Sequence, residues 1–329
     1  MTAQWSGTKV PSLAYSCCMN CVFWGFFWLY KLRHCLWTNH APSLSLRALN
    51  EVLAFSRRFQ VAELDRIRVP FLGVVSPIPI DFNATLERVG DMDVFVIMPP
   101  PKVSVVILYV HGGGFVSGDF GGYRSFVHQL AERTGMPLVF PHYRLAPEHD
   151  IVDQVADILT ALRFVTHRFQ VPVSSVIIIG DSAGGALTLL SLQRLAAQKA
   201  DIPRRAILMS PVTDLSCSGE TFVSNQDRDV MFYPDTVRKC MDMARTRFNG
   251  QDPAVSPLFG EFVGLPPLYF LTSGTEILAD DTRRAAAKAQ AAGVATTVTF
   301  VDDLFHAFPL FYFIVPECAA GLDQIVAWC

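Results

Sequence analysis

Val176-Ile177-Ile178-Ile179-Gly180-Asp181-Ser182-Ala183-Gly184 is an apolar run that ends in a G-x-S-x-G pentapeptide. The run has strand character, and Ala183 to Lys199 beyond it has helical character. A serine on so sharp a strand-to-helix turn is lifted out of the sheet and exposed. A second apolar run, Val103 to Val110, leads into His111-Gly112-Gly113-Gly114-Phe115. Two glycine-bearing motifs, each at the carboxyl end of an expected strand, point to one site: a nucleophile and a cradle of backbone N–H groups beside it. Taken alone, the histidine–glycine run fits a flexible turn; the pentapeptide downstream at the matching topological place argues for the cradle.

Working outward, Thr85–Val89, Val94–Met98 and Val103–Val110 form short strand-like runs separated by turn residues, including Pro99-Pro100-Pro101. Alternation follows. Helices are expected over Phe120–Gly135, Asp150–Phe169, Ala183–Lys199, Asp280–Ala292 and Ala319–Trp328. Strands are expected over Met136–Pro141, Ser175–Ile179, Ala206–Ser210, Leu268–Thr272 and Thr296–Val301. This order argues for an α/β class chain with a mainly parallel sheet wrapped by helices and an antiparallel pair at its edge. Residues 212–262 interrupt it, too long a stretch for an ordinary loop, and contain an expected helix over Val230–Phe248. We read them as an insertion folding over the carboxyl edge of the sheet together with residues 1–50, and residues 51–329 as the main domain. Ser43 to Leu64 has apolar residues at helical spacing.

The chain has 329 residues, a net charge of −3 and no long basic tract, which argues against nucleic-acid binding. Its 51% hydrophobic content suits a sheet buried on both faces, and also contact with lipids or greasy ligands. Eight cysteines are scattered; Cys18 and Cys21 make one CxxC with no partner pair, so neither a zinc site nor any other metal is expected. Free thiols suit a reducing, cytoplasmic compartment. Asn83-Ala84-Thr85 is a lone sequon. Residues 17–30, CCMNCVFWGFFWLY, are strongly apolar but fall short of the ~20 residues of a spanning helix. They lack the basic leader of a secretory signal. A cap helix, a membrane-surface element and a true span are all open readings. Trp24, Phe26, Phe27 and Trp28 would line a pocket, pack in a core or touch lipid accordingly.

A hydroxyl needs a base within hydrogen-bond reach, and the base needs an orienting acid. In nucleophile-elbow enzymes the acid and then the histidine follow the serine along the chain. Glu276 follows the expected strand Leu268–Thr272, and His306 follows Thr296–Val301. Both fall at the carboxyl edge of the sheet, where open α/β folds gather ligands. Asp280, Asp281, Asp302 and Asp303 are rivals for the acid, although the first two also suit a helix N-terminus. Asp181 is expected to hydrogen-bond within the elbow, and His111 to hold its loop. His128, His142, His149 and His167 have no acid at a sensible spacing.

His111–Phe115, Tyr143-Arg144-Leu145-Ala146-Pro147-Glu148, Gly180–Gly185 and Glu276–Asp280 resemble the hormone-sensitive lipase group of α/β-hydrolases, over about residues 84–329. That group includes bacterial carboxylesterases, arylacetamide deacetylase and fungal steryl acetyl hydrolases. The resemblance implies an eight-stranded sheet, a helical cap built from the N-terminus and an insertion, and ester hydrolysis without a cofactor. It implies an oxyanion hole of Gly113, Gly114 and Ala183. The group's D-x-L-x-D acid pattern falls on Glu276-Ile277-Leu278-Ala279-Asp280, with glutamate where many members have aspartate. His306 is followed by Ala307 rather than the usual glycine. The expectation is therefore a serine carboxylesterase acting on lipophilic short-acyl esters through Ser182, Glu276 and His306. Its partner would be a small-molecule ester, with a homodimer or a membrane-surface contact through residues 17–30 as further associations. A non-catalytic small-molecule receptor on the same fold, as in the gibberellin receptors, and an acyltransferase or amidase are the alternatives.

Overall fold

The computed structural model describes residues 44–57, 84–98 and 104–329. The apolar stretch 17–30, the prolines at 99–101 and Asn83 of the sequon lie outside the described residues. Eight strands form one sheet: β1 (Ala84–Val89), β2 (Met92–Ile97), β3 (Val106–Val110), β4 (Leu138–Pro141), β5 (Val176–Asp181), β6 (Arg205–Met209), β7 (Leu268–Ser273) and β8 (Thr296–Val301). Their order is β1-β2-β4-β3-β5-β6-β7-β8. Only β2 runs against its neighbours; from β4 to β8 every pairing is parallel. β3, β4, β5 and β7 are buried at every residue, as strands covered on both faces must be.

The helices are α1 (Leu44–Arg57), α2 (Phe120–Thr134), α3 (Ile151–Phe169), α4 (Ala183–Ala197), α5 (Thr221–Ser224), α6 (Pro234–Arg245), α7 (Ala279–Ala291) and α8 (Pro316–Trp328). Two apolar cores flank the sheet. On one face α3 and α4 pack through Ile158, Leu162, Leu187 and Leu190 against Val106, Leu108 and Ile178. On the other α2 and α8 pack through Phe126, Leu130, Leu322 and Ile325 against Ile107, Tyr109 and Ile177. Leu46, Leu49 and Leu53 of α1 belong to the second core, so this helix crosses residue 50 as part of the main body. Among the described residues no helix is long and apolar enough to cross a membrane.

The helix expected over Val230–Phe248 starts later, at Pro234, which occupies the first helical position. Proline is tolerated there because its missing N–H has no intrahelical partner to lose. Between β6 and β7 the chain carries α5, α6 and a 3₁₀ turn at Pro257–Phe259. Its Cys240 side chain reaches the carboxyl edge of the sheet, 3.2 Å from where a methyl group on Gly114 would lie.

Candidate active site

Ser182 sits between β5 and α4 with φ 53° and ψ −121°, a backbone conformation that non-glycine residues rarely adopt. Surrounding bonds hold it there. Its amide donates to Met209 O at 2.8 Å, and its carbonyl accepts from Gly185 N and Val212 N, both at 3.0 Å. The glycine loop after β3 lies directly beside it. A methyl group on Gly112 would stand 2.9 Å from Ser182 Cβ and 2.9 Å from Asp181 O, so no larger residue fits between loop and elbow. Gly113 has φ +119°, and its carbonyl accepts from Val116 N at 3.2 Å and Ser117 N at 3.0 Å, which curls the loop back. Among the described residues no backbone hydrogen bond occupies the N–H groups of Gly113, Gly114 or Ala183. Ala183 opens α4, where the first N–H groups of a helix have no partner within it.

Asp181 does not bond within the elbow; it reaches across to the neighbouring strand and helix. Its Oδ1 accepts from Tyr109 OH at 2.8 Å and Gly112 N at 3.0 Å, and its Oδ2 from Tyr123 OH at 2.9 Å. Burial pushes this carboxyl up to about 6, because the hydroxyls and the amide recover only part of the lost hydration. His111 holds the loop as the sequence suggests. Its Nδ1 donates to Gly112 O at 2.7 Å and its ring stacks on Tyr143 at 4.2 Å. Tyr143 OH donates to His111 O at 2.7 Å. Burial lowers His111 to about 3, so the ring is neutral and scaffolding at ordinary pH.

Glu276 and His306 meet. His306 Nδ1 donates to Glu276 Oε2, and the two residues are each only 1% exposed. The other carboxylate oxygen, Oε1, accepts from Ser210 Oγ at 2.8 Å, from Ser273 N at 3.0 Å and from Thr272 Oγ1. Burial pushes Glu276 up, but the imidazole and the two hydroxyls outweigh it and hold the carboxyl below its ordinary value. Burial pushes His306 down, yet Glu276, with Asp229 and Asp181 behind it, holds the imidazole above its ordinary value. With Nδ1 engaged, His306 Nε2 is buried and makes no hydrogen bond among the described residues. A neutral imidazole in this tautomer presents Nε2 as a base.

The profile of the α/β-hydrolase fold family matches residues 107–310, more than half of the chain. The chain belongs to the α/β-hydrolase fold family. An esterase of Acinetobacter venetianus is 33% identical over 67% of this chain and 73% of its own length. An acetyl-hydrolase of Streptomyces hygroscopicus is 28% identical over 76% of this chain and 88% of its own. The crystal structure of an esterase from the bacterial hormone-sensitive lipase family superposes with a TM-score of 0.81 at 29% identity, covering 88% of this chain and 98% of that one. This α/β-hydrolase is thus of the hormone-sensitive lipase type.

Of the four rival acids of this α/β-hydrolase, two are engaged elsewhere and two lie exposed. Asp281 Oδ2 accepts from Thr213 N at 2.6 Å and Asp214 N at 2.9 Å, pinning the start of the insertion. Asp280 accepts from Thr221 N at 3.0 Å and pairs with Arg283. Asp302 and Asp303 lie exposed on the turn after β8. Ser210 escaped the sequence reading although it ties the acid loop to the histidine loop. It follows Met209, whose carbonyl holds the Ser182 amide; its hydroxyl donates to Glu276 and accepts from Ala307 N at 3.1 Å. Its φ of 44° is the only local hint of special geometry, and sequence does not display dihedral angles. Among the described residues no three His, Cys, Asp or Glu side chains cluster as metal ligands.

Proposed function

We propose that this carboxylic ester hydrolase works as a serine esterase on lipophilic short-acyl esters, through an acyl-enzyme intermediate. Ser182 Oγ attacks the ester carbonyl while His306 Nε2 takes its proton. Glu276 orients the ring and stabilises its cationic form. The oxyanion settles on the amides of Gly113, Gly114 and Ala183. The alcohol leaves with the proton from His306. Water, deprotonated by the same nitrogen, then attacks the acyl group on Ser182 and frees the acid.

The observation that carries the reading is the buried His306–Glu276 hydrogen bond, which commits Nδ1 and leaves Nε2 without a hydrogen-bond partner among the described residues. The strained Ser182 backbone, and the amides beside it that make no backbone hydrogen bond among the described residues, support the remaining roles. Short acyl chains are favoured by two considerations. Curated relatives include an acetyl-hydrolase and an ethyl acetate hydrolase of Pseudomonas putida. Cys240 also packs closely on Gly114, which brings the insertion up against the proposed oxyanion hole. In this reading residues 212–262 form the cap over the main body, and the apolar inner face of α6 (Val237, Cys240, Met241) favours a greasy substrate.

A series of p-nitrophenyl acetate, butyrate and octanoate tests the reading with the wild type and Ser182→Ala. The wild type should prefer acetate and butyrate. The variant should lose on the order of a millionfold in kcat, and with it labelling by a fluorophosphonate. Wild-type-like hydrolysis by Ser182→Ala would end the serine mechanism; a preference for octanoate would end the short-acyl assignment.

A further inference from the structure

The geometry points to Asp229, on the segment between β6 and β7, as a positioning residue that holds Glu276 in place and sets a second carboxylate behind His306. It rests on the serine-esterase reading and assigns the insertion a part in the proton transfer itself.

Asp229 is buried, and both of its oxygens are used. Oδ1 accepts from Met231 N at 2.8 Å and Phe232 N at 2.9 Å; Oδ2 accepts from Ile277 N at 2.9 Å. Asn225, whose carbonyl accepts from the Asp229 amide, donates through Nδ2 to Gly274 O and to Glu276 O, both at 3.0 Å. The peptide unit joining Glu276 to Ile277 is therefore gripped from both sides. Its carbonyl is held by Asn225 and its N–H by Asp229. A rotation of that unit would swing the Glu276 side chain off the imidazole, and these two residues oppose it. The turn capped by Asp229 also lays the Phe232 ring against His306, centroid to centroid 4.9 Å at 67°.

Three carboxylates act on the His306 imidazole: Glu276 directly, then Asp229 and Asp181. Burial and the neighbouring Glu276 hold the Asp229 carboxyl above its ordinary value, and the three amide hydrogens it accepts pull back toward the carboxylate form. A negative charge there favours the imidazolium that forms as Ser182 is deprotonated. It also raises the pH at which the resting imidazole becomes free to act as base.

The test is the pH dependence of p-nitrophenyl acetate hydrolysis by the full chain and Asp229→Asn, with active sites counted by fluorophosphonate titration so that misfolded protein drops out. The acid limb of kcat/KM should move to lower pH, and plateau kcat should fall about tenfold with KM changed less than about twofold. Asp229→Glu, which keeps the charge, should return the limb toward the wild-type position. A limb that stays put in Asp229→Asn overturns the inference, because a purely structural role alters the number of active sites and not their titration. If Asp229→Asn yields no titratable sites, Asn225→Ala decides. A roughly tenfold loss of kcat at constant KM supports the brace, and an unchanged kcat overturns it. Ser182→Ala in the same panel separates the two readings: hydrolysis at the wild-type level sinks the serine mechanism itself, whereas an inert Ser182→Ala beside an unshifted Asp229→Asn sinks only the role of Asp229.

Discussion

Two carboxyl groups, Asp181 and Glu276, are equally buried in the site and are shifted in opposite directions. Asp181, on the β3–β5 side, faces two phenols and an amide, and burial pushes it up to about 6. Glu276, on the β7–β8 side, faces an imidazole, two hydroxyls and an amide, and is held below its ordinary value. Burial is common to both; the decisive difference is a partner able to carry positive charge. One carboxyl is therefore suited to holding the glycine loop and the other to supporting a proton transfer.

The largest way to break this contrast is on the Glu276 side. Glu276→Gln keeps the shape but removes the charge that favours the imidazolium and selects its tautomer. Turnover of p-nitrophenyl acetate should fall about ten-thousandfold in kcat, with the acid limb displaced to lower pH because the imidazole loses its principal counter-charge. An equally large loss in Asp181→Asn would erase the distinction. That variant keeps an acceptor for Gly112 and one phenol, and should lose no more than about a hundredfold.

On the Asp181 side the corresponding break is steric. Gly112→Ala places a methyl group 2.9 Å from Ser182 Cβ and harder still against the Asp181 carboxylate. The loop must retreat, carrying the Gly113 and Gly114 amides with it. The expected loss is about a hundred- to a thousandfold in kcat, the cost of misplacing oxyanion donors. A kcat within about threefold of wild type would show that the loop and the elbow are not mechanically joined. Ser210→Ala is milder. It leaves the Ala307 amide without its acceptor and Glu276 with one donor fewer, and about tenfold in kcat is expected at little change in KM.

Legibility in the sequence follows the same division. Ser182, His306 and Glu276 could be proposed from the sequence because each stands a few residues past an apolar run at one edge of a parallel sheet, and chain order then limits the choice. The choice among five acids was narrowed only weakly by sequence. Asp281 is adjacent to Asp280 and near Glu276, yet it points to Thr213 and Asp214, a pairing across 67 and 68 residues that no local pattern announces. Ser210, Asn225 and Asp229 were invisible for the same reason. They lie on or beside the insertion, and their partners lie in the acid and histidine loops 48 to 97 residues away. The late start of α6 was readable in principle from Pro234, but the apolar residues before it extend the helical period and mask the break. Motifs that are local in the chain were recoverable; bonds that close across it were not.

The smallest expected effect is the sharpest on the charge states. The Asp181 carboxyl rises from 3.8 to about 6 on folding, so the folded chain holds a proton that the unfolded chain has released. Its contribution to stability is then fully present below about pH 3.8 and is lost as pH rises through about 6. Asparagine resembles the protonated form at every pH. The stability of wild type minus that of Asp181→Asn should therefore be closest to zero near pH 4 and turn steadily negative toward pH 7, as wild type loses the contribution of its protonated carboxyl, which urea unfolding of both proteins across that range would measure. Glu276→Gln should behave in the opposite sense, the same difference turning steadily positive as pH rises from acid, because a carboxyl held below its ordinary value contributes stability only once ionised. If the two differences ran in parallel, burial alone would govern both groups and the partner would count for nothing.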